Sequence, residues 1–389
     1  MQDYFVDLHI HLGRTEQGKP VKITASNLLT MEAVLEESKF RKGLDMIGVI
    51  DCHVPEVLLQ LQRWVKEGTV VEHEEGGLLF GDLTLILGSE IEILDENCHG
   101  VIHALCYFPT MEYMMEFTRF LSSRQKNITL STQRVYENAV VIQEKVRELN
   151  GLFIPAHVFT PFKSLYGRGV QKSLREVFNP ELIDGIELGL SADTAMASRL
   201  SELDCYTFVS NSDAHSTAKI AREYQRIKMI APTFTELKLA LHERTGRAVT
   251  ANYGLAPHLG KYHLTACEKC FHVKEASAQG SCVKCGHHRF TKGVSSRIKE
   301  IQDQQSTTRK RPPYIHQVPL DFIPGVGPKT LLKLREAFQT EMNILHEATF
   351  EQLQRVVGSK VADLILKARS GKLSFHAGGG GKFGRIAPD

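Results

Sequence analysis

Nine side chains of metal-binding type recur in the N-terminal two thirds of the chain: His9, His11, Asp51, His53, Glu90, His103, His157, Asp213 and His215. Imidazole and carboxylate together suit Zn²⁺, Mn²⁺ or Fe²⁺, whereas all-oxygen sites suit Mg²⁺ and Ca²⁺. Residues two apart on a strand share a face, so His9 and His11 in Val6-Asp7-Leu8-His9-Ile10-His11 can aim both rings into one pocket. Clustered divalent ions lower the pKa of bound water and neutralise a phosphoryl group, which makes phosphoester hydrolysis the natural reaction. A lone histidine is more often a satisfied core residue than a ligand, so the inference rests on the joint pattern. His99, four residues before His103, is a rival for that place.

These residues need elements to hold them. Apolar runs lie close to most of them: Phe5-Val6, Met46 to Ile50, Leu83 to Leu87, Leu152 to Ile154 and Tyr206 to Val209. Helical patterns alternate with the runs, at Met31 to Lys42, Thr132 to Leu149 and Thr235 to Arg244. A ligand at the end of each buried strand is the arrangement of parallel β/α barrels, whose sites form at strand C-termini. Residues 1–258 are read as that barrel.

At 389 residues and 42% hydrophobic content the chain can bury a sizeable core in two or three domains. It lacks any run of about 18 apolar residues and any basic-then-apolar start, so no membrane association and a cytoplasmic, DNA-associated location are expected. The net charge of +2 hides an asymmetry: residues 1–288 carry a net −6 and residues 289–389 a net +8. A basic C-terminal part beside an acidic, histidine-rich part points to a polyanionic partner.

Four of the eight cysteines form two Cys-x-x-Cys pairs, Cys267/Cys270 and Cys282/Cys285, eleven residues apart. Four thiolates at this spacing are what a tetrahedral structural zinc requires, and residues 259–294 are too few to fold on a hydrophobic core alone. Residues 295–318, ending near Arg309-Lys310-Arg311-Pro312-Pro313, read as a mobile polar and basic linker. Residues 319–372 contain Phe322-Ile323-Pro324-Gly325-Val326-Gly327-Pro328-Lys329, followed by the amphipathic Thr330 to Phe338, which resembles a helix-hairpin-helix. Its glycines let backbone amides approach a phosphate, and Lys329 and Lys333 add charge. A degenerate second copy falls at Val357-Gly358-Ser359-Lys360, and a Gly-rich basic tail occupies 373–389.

The Asp-x-His-x-His start, Gly88-Ser89-Glu90, Pro155-Ala156-His157 and Ser212-Asp213-Ala214-His215 resemble, in order and spacing, the polymerase and histidinol phosphatase (PHP) superfamily. That resemblance implies a distorted (β/α)₇ barrel holding up to three divalent ions, Zn²⁺, Mn²⁺ or Mg²⁺. It implies His9, His11, Glu90 and Asp213 on the first ion and at the centre of catalysis. Glu90 would bridge to a second ion completed by His103 and His157. His215 and His53 would hold a third, with Asp51 in the same motif as His53. The family's further early ligand, a His or Asp, falls here at Gln17, with Arg14 and Glu16 nearby.

With the cysteine module, the hairpins and the basic tail, the chain resembles the endonuclease Q family of deaminated-base repair nucleases over nearly its whole length. This implies nicking of DNA on the 5′ side of uracil, hypoxanthine, xanthine or an abasic site, leaving a 3′-hydroxyl and a 5′-phosphate. The damaged nucleotide would be flipped from the stack. Gly189, Ser191 and Asn211 match the expected base pocket. Phe159, Lys163, Tyr166 and Arg168, in the loop after His157, are placed to wedge or hold the strand. A monomer is expected, with a sliding clamp or another repair protein as a candidate partner. The competing readings are a PHP-type small-molecule phosphatase or exonuclease and a non-catalytic DNA-binding scaffold.

Overall fold

The computed structural model describes residues 1–260, 262–274 and 280–373, and the backbone of 375–376 and 385–386. The glycines of the basic tail, Gly378 to Gly381, lie outside the described residues. The apolar runs form β1 (Gln2–Ile10), β2 (Met46–Val49), β3 (Leu83–Ile93), β4 (Ile102–Phe108), β5 (Leu152–Pro155), β6 (Ile186–Glu187) and β7 (Phe208–Val209). β1, β2 and β3 are parallel, as are β6 and β7, while β4 runs antiparallel to both β3 and β5. Hydrogen bonds from Asp184 N to Phe153 O and from Val158 N to Glu187 O join β5 to the β6 segment. A parallel bridge between Ile10 and Ala214 returns the ring to β1.

The outcome is a closed, distorted seven-stranded barrel, in agreement with the expected fold. Strands this apolar must be covered on both faces. Val6, Leu8, Ile50, Ile86, Leu105, Ile154 and Val209 fill the inside, and all are fully buried. Helices Pro55–Glu67, Met111–Ser122 and Ala139–Glu148 turn buried faces toward the strands. Two of these begin at side-chain caps, Thr110 and Asn138. The helical pattern seen from Thr132 starts seven residues late for that reason, at Ala139.

β8 (Tyr224–Met229) lies antiparallel on β1, β9 (Ala248–Gly254) antiparallel on β8, and β10 (Tyr314–His316) parallel on β9. The end of the segment read as a mobile linker, Tyr314–His316, is therefore built into the sheet, which corrects that expectation. Val294–Ile301 is helical, and Arg297 donates to the carbonyls of Tyr166, Val170 and Gln171. Arg311 stacks on the Phe208 ring at 3.6 Å and donates to the carbonyls of Leu203 and Tyr206. Arg309 bonds the carbonyls of Asp204 and Tyr206. A basic run looks like a solvated tether in sequence, yet here two of its guanidinium groups satisfy loop carbonyls.

The short pair Ala266–Cys267 with Phe290–Thr291 frames the cysteine module. Beyond β10 come helices Pro328–Phe338, Phe350–Val357 and Ser359–Arg369. This helical unit rests on the π-helix Glu37–Lys42. Lys42 Nζ is 2.9 Å from Glu341 Oε2 with both groups buried, and Arg335 pairs with Glu37 and Glu341. The aromatic face of the unit meets the barrel at His346, which stacks on Phe5 and meets Tyr224 and Tyr253 edge-on.

Candidate active site

β1 delivers both early histidines to one rim of the barrel. Their Nδ1 atoms are tied back, His9 to Glu187 Oε1 at 3.0 Å and His11 to Asp51 Oδ2 at 3.1 Å. Both Nε2 atoms are buried with no hydrogen-bond partner, and so is Nε2 of His103. A carboxylate on one imidazole nitrogen and an orphaned second nitrogen is the arrangement of a metal-ligating histidine.

Glu90 sits at the centre. Its Oε1 lies 2.9 Å from His103 Nδ1, 3.3 Å from His157 Nε2 and 3.6 Å from His9 Nε2. Its Oε2 lies 3.4 Å from His11 Nε2. Asp213 Oδ1 is 3.4 Å from His9 Nε2, 3.6 Å from His11 Nε2 and 3.5 Å from His215 Nδ1. Three overlapping groups can each hold a cation: His9, His11 and Glu90; Glu90, His103 and His157; and His11, Asp213 and His215. His157 and Asp213 adopt left-handed backbone conformations, with φ of 31° and 46°. Such strain in non-glycine residues concentrates at functional sites.

The buried groups of the site are strongly coupled by charge. Burial opposes the charge of His9, but Glu187, Asp213 and Glu90 outweigh it and raise its pKa to about 10. Burial likewise opposes ionisation of Glu90 and Asp213, and the surrounding positive groups hold both well below the usual carboxylate range. The donor set and the orphaned nitrogens fit divalent ions.

Two of the expected ligands, Asp51 and His53, fall outside all three groups, and the Nε2 of His53 is likewise buried with no hydrogen-bond partner. Asp51 Oδ2 accepts from Leu12 N at 2.7 Å besides holding His11, so it positions a ligand. His53 is buried, its Nδ1 2.9 Å from Ser89 Oγ, and burial lowers its pKa. His215 instead shares Asp213 with His11. Asp7 is a backbone clamp, accepting from the amides of His9, Ser212 and Ala221. His99 lies half exposed beside Glu176, away from the cluster, which removes it as a rival. His103 stands at the start of its strand, not after it. Because β4 is antiparallel, that start lies opposite Glu92, on the same rim as the ends of β3 and β5.

Beside the ligands is a cavity of about 210 Å³ lined by His157, Glu187, Gly189, Ser191, Asn211, Asp213, Arg222 and Tyr262, among others. It contains all three residues expected to form a base pocket and shares His157 and Asp213 with the metal groups. Gly189 has φ of 76°, and a Cβ there would come within 2.8 Å of His157 Cβ, so no side chain fits. Asn211 Oδ1 accepts from Leu8 N and Gln225 Nε2, and its Nδ2 donates to Glu187. One N–H of that amide remains for the cavity.

Of the loop expected to hold a strand, Lys163 and Arg168 are exposed at the rim. Lys163 pairs with Glu92, and the Arg168 guanidinium lies 5.2 Å from the Phe162 ring. Tyr166 and Phe159 are corrections: both are fully buried, stacked on one another, with the Tyr166 hydroxyl donating to Glu202. Sequence reasoning gave no role to Glu187, Lys22, Thr132 or Tyr262. Glu187 had a signal, a carboxylate ending a strand two residues before Gly189. The others have none that is local.

The cysteine sulfurs converge, with Cys267 3.7 Å from Cys285 and Cys270 3.5 Å from Cys282. A tetrahedral zinc with Zn–S of about 2.3 Å needs S···S of about 3.8 Å, so the four fit it. In the C-terminal unit Gly325 (φ 91°) and Gly358 (φ 79°) make the two expected turns, and Gly327 caps the helix that carries the exposed Lys329 and Lys333.

No family model matches the chain. It is 53% identical over 388 residues to the uncharacterized protein YqxK of Bacillus subtilis (strain 168), spanning all of both chains. The crystal structure of the lesion-specific endonuclease PfuEndoQ from Pyrococcus furiosus matches with a TM-score of 0.85 at 32% identity, over 99% of this chain and 95% of that one. A crystal structure of endonuclease Q in complex with a 27-mer duplex substrate with an abasic lesion at the active site matches with a TM-score of 0.84 at 32% identity, over 100% and 97%. No helix among the described residues is long and apolar enough to cross a membrane.

Proposed function

The chain belongs to the endonuclease Q family, and we propose that it nicks DNA on the 5′ side of uracil, hypoxanthine, xanthine and abasic sites, leaving a 3′-hydroxyl and a 5′-phosphate. The observation that carries this reading is the sharing of His157 and Asp213 between the cavity and the metal groups. A nucleotide everted into the cavity brings its own phosphate to those ligands. Divalent ions held there would supply Lewis acidity, an activated water and charge neutralisation for the phosphodiester.

The chain's own groups do the rest. Glu187 and Asp51 fix the rings of His9 and His11, which with Glu90 and Asp213 would hold the ions. In the cavity, the free N–H of Asn211 and the polar groups at Gly189 and Ser191 face the base. Deaminated bases carry a carbonyl beside a ring N–H. A site offering one donor and one acceptor rejects cytosine and adenine, whose amino group meets the donor. Lys163 and Arg168 at the rim, and Lys329 and Lys333 of the C-terminal helical unit, hold backbone phosphate without reading sequence.

The test is a panel of end-labelled duplexes, each with one lesion, incubated with Mg²⁺, Mn²⁺ or Zn²⁺. Nicks 5′ of the lesion are expected, with Asp213→Ala abolishing them and sparing most DNA binding. A wild-type protein inactive on every lesion with every ion rejects the proposal. Asn211→Ala is expected to weaken uracil and hypoxanthine cleavage more than abasic-site cleavage, and equal losses would remove Asn211 from base reading.

A further inference from the structure

The place where the PHP resemblance puts a further early ligand is turned outward. Gln17 Nε2 donates to Glu16, and Glu16 pairs with Arg63 at the surface. The side chain that enters the site from this loop is Lys22. Its backbone is pinned just past His11, by Val21 N to Gly13 O and Lys22 N to Leu12 O, both 2.9 Å, and by Ser131 N to Val21 O at 3.0 Å.

Lys22 Nζ lies 3.1 Å from Glu90 Oε2 and 2.6 Å from Thr132 Oγ1, with the side chain 15% exposed. Thr132 Oγ1 itself donates to Glu90 Oε2 at 2.6 Å. Thr132 holds this position at φ of 52°, an uncommon conformation for a β-branched residue. Lys22 lines the same recess as His11, Glu90, His103, His157, Asp213 and His215. An ammonium has three donors, and Glu90 and Thr132 engage two. The third is free for an anion in the recess. Glu90 is already held by Thr132 and His103, so a buried cation is not needed merely to fix it.

We propose that Lys22 is a catalytic residue that contacts the scissile phosphate and supplies positive charge to it on the side where the family's early ligand is missing. This rests on the endonuclease reading above. The ammonium donates to a non-bridging phosphate oxygen and stabilises the charge that builds there as the phosphodiester opens.

The experiment compares wild type, Lys22→Met and Lys22→Arg on duplex with an abasic lesion, with metal content by mass spectrometry and a Mn²⁺ titration of nicking. For Lys22→Met the nicking rate at saturating Mn²⁺ should fall by about 10²- to 10³-fold, the size of one lost charge-stabilising donor. Metal content and half-saturating Mn²⁺ should stay as in wild type, which also reports an intact fold, and Lys22→Arg should recover part of the rate. Nicked duplex with a 5′-phosphate should outbind the same duplex with a 5′-hydroxyl for wild type and not for Lys22→Met. If Lys22→Met instead loses metal and excess Mn²⁺ restores its rate, Lys22 only positions Glu90 and the proposal is overturned. An undiminished rate overturns it as well. Wild type failing on every lesion would sink the endonuclease reading itself, a different result from a Lys22→Met variant that keeps pace with an active wild type.

Discussion

Glu187→Gln tests how the site is held together, because three donors converge on this one carboxylate. His9 Nδ1 is 3.0 Å away, the His157 amide 2.8 Å and Asn211 Nδ2 2.8 Å. A carboxamide offers one oxygen and an NH₂, so at least one of these donors then faces another donor. His9 is the group that can yield, by accepting at Nδ1 and moving its proton to Nε2, the nitrogen facing Glu90 and Asp213. With its proton on Nε2, His9 cannot ligate a metal through the nitrogen that faces the cluster. Losing such an outer partner costs about 10- to 100-fold in metal affinity, or about 1.4–2.7 kcal/mol. The assay is nicking of an abasic-lesion duplex across a Mn²⁺ titration, with metal content after dialysis. Half-saturating Mn²⁺ should rise by that factor while the plateau stays near wild type. An unchanged Mn²⁺ dependence, or a loss that no Mn²⁺ concentration recovers in a normally metallated variant, would refute the anchoring argument.

Three further outcomes are expected. Replacing Lys329 and Lys333 together with alanine should reduce the slope of log affinity against log salt by about 2, with nicking at saturating DNA unchanged, because each exposed lysine would displace about one counterion. Cys267→Ser should release one zinc per chain and weaken DNA binding without moving the Mn²⁺ requirement, checked by a zinc dye and the same titration. His346 sets a pH dependence. Burial, and after it Arg369 and Arg226, lower its pKa to about 3, against about 6.5 in an unfolded chain. The unfolded state binds the extra proton, so the stability from neutral His346 is complete above pH 6.5 and is lost as pH falls toward 3. At pH 5 the loss is about 2 kcal/mol. Denaturant unfolding of wild type and His346→Phe at pH 7 and pH 5 measures it, and equal pH dependence in the two proteins would reject the assignment.

Features with a local cause were legible in the sequence. The strand period of two puts His9 and His11 on one face whatever surrounds them, and a pair of Cys-x-x-Cys turns carries its zinc geometry within a few residues. The apolar runs foretold buried strands because a barrel strand must be covered inside and out. The Gly325 and Gly358 turns needed residues that tolerate positive φ. What depends on chain direction and on distant partners was decided by the tertiary structure. β4 runs antiparallel, so His103 opens its strand and still reaches the rim. Asp51, read beside His53 as a ligand, lies behind His11, because its oxygen also serves Leu12 N. Tyr166 left the expected DNA surface for the core, and Arg309 and Arg311 left the expected tether to bond carbonyls of the loop at 203–206. Glu187 meets His9 across 178 positions and Lys22 meets Glu90 across 68, separations at which only the folded backbone sets which charges become neighbours.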